Sequence, residues 1–149
     1  MTSTTAVQAR SVRRSLRTPI AWGVVIGVLQ AASPLAFFWL DSRTVYALGL
    51  PLIAAVYIGF AVADGRRHVV AIETAVASVF VIIAAVGAAP RLAWVAAVGL
   101  AAHGLKDLWQ HRTQFVANTR WWPPFCATVD FVAAALIAAA LTAGSPFTI

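Results

Sequence analysis

Polar and apolar positions in this chain do not alternate; they fall in long blocks. Apolar runs cover about residues 20–40, 46–64, 69–89, 92–111 and 125–143, with short polar or proline-bearing connections between them. Each run approaches the length of about 20 residues that an α-helix needs to cross the hydrocarbon core of a bilayer. The pattern therefore predicts an all-α fold, a polytopic integral membrane protein built as a bundle of five transmembrane helices. Residues 1–18 are rich in Ser, Thr and Arg, too polar to bury a core, and are expected to stay unfolded at the cytoplasmic face. Residues 19–144 form the transmembrane domain in this reading, and 145–149 a short outer tail.

Local signals punctuate the blocks. Asp41-Ser42-Arg43-Thr44, Asp64-Gly65-Arg66-Arg67 and Ala89-Pro90 read as turns, and Trp121-Trp122-Pro123-Pro124 as an aromatic corner opening the fifth helix. Pro124 suits a first helical turn, where its missing N–H would have no partner anyway. Pro34 is predicted to kink the first helix, and Trp22 and Trp39 to mark its two interfaces.

Composition makes the membrane reading firm. Of 149 residues, 61% are hydrophobic and 11% charged, far from the balance of a soluble domain. The net charge of +6 invites a nucleic-acid reading, but its placement argues against one. Arg10, Arg13, Arg14, Arg17, Arg66, Arg67, Lys106, Arg112 and Arg120 fall on one side of a five-span topology, and Arg43 and Arg91 on the other. An excess of basic residues marks the cytoplasmic side, which orients the chain N-terminus inside and C-terminus outside, in the cell membrane. The single cysteine, Cys126, excludes an intrachain disulfide.

Candidate chemistry resides in the few polar positions inside the runs. In the fourth, His103, Asp107 and His111 are spaced by four, which places them within about 80° on one helical face. Gln110 and Gln114 extend that stripe if the helix continues to about Asn118. Glu73 in the third run and Asp130 in the fifth fall roughly 6–7 Å inside the cytoplasmic edge, at the level of Asp107. Ionisable groups inside a span are costly, so by default they mark function. The candidate catalytic set is His103, Asp107, Glu73 and Asp130.

Two chemistries fit these residue types. Imidazole and carboxylate suit zinc, iron or manganese, with His103, Asp107 and His111 as candidate ligands. One ion would be shared by His103 and Asp107 or by Asp107 and His111, completed by Glu73 or Asp130. Alternatively, a histidine oriented by a carboxylate performs acid–base work without metal. Trp109, Trp121, Trp122 and Arg112 are the candidate contacts for a hydrophobic or isoprenoid-like substrate entering from the inner leaflet. The plainer readings stand beside these: an interfacial tryptophan belt, Glu73 paired with Arg66 or Arg67, and Asp107 paired with Lys106 or Arg112. Three function classes stay open: a small membrane enzyme, a non-catalytic accessory subunit of a larger complex or homo-oligomer, and a proton or metal-ion transport component.

Overall fold

The computed structural model describes residues 3–90, 92–117 and 119–144, with side chains from residue 16 onward. Residues 145–149, expected to form an outer tail, together with Arg91, Asn118 and the side chains of Arg10, Arg13 and Arg14, lie outside the described residues. Among the described residues the chain forms five α-helices: α1 Ser3–Ala36, α2 Ser42–Asp64, α3 Arg67–Gly87, α4 Ala93–Thr113 and α5 Trp122–Thr142. Four of them, α1 (through Leu16–Ala36), α2, α3 and α5, are long and apolar enough to cross a membrane.

Element boundaries follow from capping chemistry. Asp41 accepts the N–H of Arg43 at 2.9 Å and so caps α2. Gly65 closes α2 with φ 82°, a left-handed conformation that costs glycine nothing. Its N–H reaches back to the carbonyls of Ala61 and Val62, and α3 begins at Arg67. The α1 helix differs from expectation at both ends. It runs helically through residues 3–18, which the sequence suggested would stay unfolded, and it stops at Ala36 rather than Leu40. Pro34 lies inside its last turn, where it cannot donate to the carbonyl of Gln30. The Ser33 hydroxyl donates to that carbonyl at 2.7 Å instead.

The short connections make sequential helices antiparallel neighbours. α1 and α5 run parallel, because Gly23 faces Phe125 and Thr128 while Gly27 faces Val129 and Val132. A Cβ at Gly27 would lie 2.8 Å from the Val132 Cβ and 2.9 Å from the Val129 carbonyl oxygen, so the two backbones meet only because both positions are glycine. Gly104 does the same between α4 and α5, beside Phe131 and Asp130. α5 thus packs between α1 and α4, and α2 and α3 close the bundle on the other side.

Outward surfaces are apolar. Leu52, Phe38, Ile82, Val98 and Leu105 are among many large hydrophobic side chains left exposed. That arrangement suits a bilayer as the surrounding solvent and would be costly in water. The interior is organised in layers. Tyr46, Leu50, Phe80, Ala96, Leu100, Ala133 and Ile137 belong to one apolar core, and Tyr57, Ala61, Val69 and Val116 to a second. Between Leu100 and Val116, the inward face of α4 carries polar groups.

Candidate functional site

α4 is amphipathic with its polar side inward. Its buried positions include Ala93, Ala96, Leu100, His103, Gly104, Asp107 and Gln110, at the three- and four-residue steps of one helical face. Trp94, Val98, Leu105, Leu108 and Trp109 point outward. His103 is the central residue of this helix, about 15 Å from either end.

Three of the four expected catalytic side chains meet there in one cluster. His103 on α4, Asp107 one turn further along it, and Asp130 on α5 are all 0% exposed. Each offers a ligand atom within 4.8 Å of the others. His103 Nδ1 stands 2.8 Å from Asp130 Oδ2, within hydrogen-bond distance, and 3.5 Å from Asp107 Oδ2. The close approach of α5 at Gly104, next in sequence to His103, is what brings Asp130 into range. Phe80 packs edge-on against the imidazole with ring centroids 4.8 Å apart, and Tyr57 lies 6.0 Å away on another side.

The cluster is not satisfied by its own contacts. Both oxygens of Asp107, Oδ1 of Asp130, Nε2 of His103 and the hydroxyl of Tyr57 are buried without a hydrogen-bond partner. Native interiors pair nearly all such groups, and leaving one unpaired costs about 1–3 kcal/mol. Within the cluster His103 and Asp130 tie α4 to α5, while the remaining atoms converge unpaired.

A second polar group, toward the α2–α3 turn, behaves in the opposite way. Glu73 does not join the cluster. It accepts from Lys106 Nζ at 2.6 Å and from the Gln110 side-chain amide, rather than pairing with Arg66 or Arg67. Lys106 also lies 3.4 Å from the centre of the Tyr57 ring, a cation–π contact. Gln110 in turn accepts the N–H of Val116 at 3.3 Å, which fixes the loop between α4 and α5. That loop is held again at Asp64, whose carboxylate pairs with Arg66 and accepts the N–H of Ala117 at 2.7 Å. Arg66 completes the latch by donating to the Phe115 carbonyl at 2.6 Å.

The remaining candidates are dispersed. His111 lies two turns beyond His103 on α4 and is not among the converging ligand atoms. Its Nδ1 is buried without a partner. Gln114 leaves the stripe, because α4 ends at Thr113 and Gln114 turns to φ 50° to close it, so the expected helical continuation is absent. Trp109 and Trp121 are exposed, and Arg112 stands on the outward side of the last turn of α4. Trp122 is half-buried against Phe60 and Phe125. It borders a groove of about 270 Å³ between α1, α2 and α5, whose wall includes Gln30, Leu52, Phe125, Cys126 and Val129. Cys126 is one helical turn before Asp130 and buried, so the groove passes close to the cluster. Sequence reasoning assigned no role to Tyr57 or Cys126; the only signal for either was its place in the same half of the bundle.

No protein-family model, curated protein or solved structure matches this chain.

Proposed function

We propose that this protein is a multi-pass enzyme of the cell membrane, with all five helices spanning, the N-terminus cytoplasmic and the C-terminus outside. The outward apolar face of α4 supports its assignment as the fifth span: its average hydropathy is lowered by residues that point inward, away from lipid. The basic residues of the α2–α3 turn and the α4–α5 loop support the orientation.

The reactive site in this reading is His103, Asp107 and Asp130. The observation that carries it is the set of unpaired polar atoms in a cluster with no exposed surface. The chemistry is acid–base: Asp107 has both oxygens free to take up a proton, and the His103–Asp130 pair faces it as the complementary group. The substrate is lipid-soluble and approaches from the bilayer along the groove past Trp122 and Cys126. Glu73, Lys106 and Gln110 keep the helices in register, since each is already paired.

The test is a comparison of lipid extracts from cells expressing the wild type, Asp107→Asn or His103→Gln at matched membrane levels. A lipid species that changes with the wild type and with neither variant is the expected result. Indistinguishable extracts would overturn the reading. They would leave the accessory-subunit alternative, which the fully paired Glu73–Lys106–Gln110 seam favours, and co-purified partners would then be sought.

A further inference from the structure

We infer that His103, Asp107 and Asp130 bind one divalent transition-metal ion. The inference rests on the reading of this cluster as the reactive site, and it adds an ion held jointly by the three side chains.

Spacing is the first argument. Ligand atoms about 2.1 Å from a common ion stand about 3.0 Å apart at octahedral angles and about 3.4 Å apart at tetrahedral ones. His103 Nδ1 lies 2.8 Å from an Asp130 oxygen and 3.5 Å from an Asp107 oxygen, close to these separations, and all three ligand atoms lie within 4.8 Å of one another. A hydrogen bond accounts for the shorter separation alone. Asp107 is wholly buried, and its nearest charged neighbour is the same imidazole nitrogen at 3.5 Å, too long for a good hydrogen bond, so neither of its oxygens is hydrogen-bonded.

Charge is the second. Two carboxylates in a region of low dielectric repel each other and lose hydration, which is costly for each buried ion. A proton on His103 offsets one negative charge, whereas a divalent ion offsets both and leaves the imidazole neutral as a ligand. The donor set selects the metal: one nitrogen and two oxygens suit manganese, iron or zinc, while calcium and magnesium prefer all-oxygen shells. Cys126 is not in the converging group, which removes the soft ligand that copper(I) would favour. Three protein ligands leave a position open, as catalytic sites do. One Asp107 oxygen binds the ion and the other stays free to accept a proton.

The experiment is elemental analysis of detergent-purified protein, followed by titration of the chelator-stripped protein with Mn²⁺ and Zn²⁺. The wild type is expected to hold close to one ion per chain. His103→Ala, Asp107→Asn and Asp130→Asn should each weaken binding at least 10-fold, while Glu73→Gln and His111→Ala should bind as the wild type does. Circular dichroism on each variant separates lost ligation from lost fold; should His103→Ala misfold, the two Asp→Asn variants carry the test. No saturable binding by folded wild type would overturn the inference, as would binding that survives Asp130→Asn and fails with His111→Ala. A metal-free protein that still alters a lipid in an Asp107-dependent way would sink the ion and spare the enzyme. A metal-loaded protein with no lipid product would do the reverse.

Discussion

The two aspartates of the cluster are chemically identical but should respond differently to substitution. Asp130 pairs with His103 Nδ1 at 2.8 Å, so Asp130→Ala leaves a buried ring nitrogen unpaired. We expect that change to cost about 1–3 kcal/mol, read as a lowered midpoint of thermal unfolding in detergent with chelator present. Asp107 makes no hydrogen bond and only a 3.5 Å approach to His103, so Asp107→Asn is expected to leave that midpoint unchanged or raise it. A residue whose loss stabilises the fold is one kept for another purpose. At the far end of the bundle, Asp41 is an ordinary stabilising carboxylate. Hydrogen bonds from the Arg43 side chain hold its pKa at about 2, below the usual 3.8. A depressed pKa means the contribution is present above about pH 4 and lost as pH falls toward 2. Acid titration of unfolding should show that loss in the wild type and a flatter profile in Asp41→Asn.

Among the elements, the seam between α1 and α5 is the least forgiving. Gly27→Leu has no room beside Val129 and Val132, and we expect it to cost about 1–3 kcal/mol or to detach α1. A lowered unfolding midpoint in detergent would show the first outcome, and proteolytic release of α1 the second. Helix existence was legible throughout, because each apolar run is long and each break carries a turn signal. The inward stripe of α4 was also legible, since the spacing of His103, Asp107 and Gln110 fixes their common face. Which carboxylate would meet His103 was not. Sequence position gives the depth of Glu73 and Asp130 along their helices, and both lie near the right level. The rotation of α3 and α5 about their axes decides between them, and that depends on packing at Gly104, where α5 approaches closely. The continuation of α4 toward Asn118, which the sequence left open, does not form: Gln114 is a good helix former locally, but the latch of the following loop onto Asp64 and Gln110 turns the chain there.

At the scale of the whole molecule, the orientation is open to direct measurement. In a Cys126→Ser background, Gln114→Cys should react with a membrane-impermeant thiol reagent only after the cells are opened, and Ser42→Cys should react in intact cells. The opposite pattern would invert the topology. The polar interior of α4 also bears on how the protein is made. A nascent helix that carries His103, Lys106, Asp107 and Gln110 partitions poorly into lipid by itself. Its partners lie on both sides of it in the chain: Glu73 on α3, which precedes it, and Asp130 on α5, which follows. As the fifth span proposed above, α4 is therefore expected to be integrated together with its neighbours rather than alone. The residues that form the cluster would then also set the order of assembly, and a chain truncated before α5 is expected to accumulate in membranes at a lower level than the full chain, read by immunoblot.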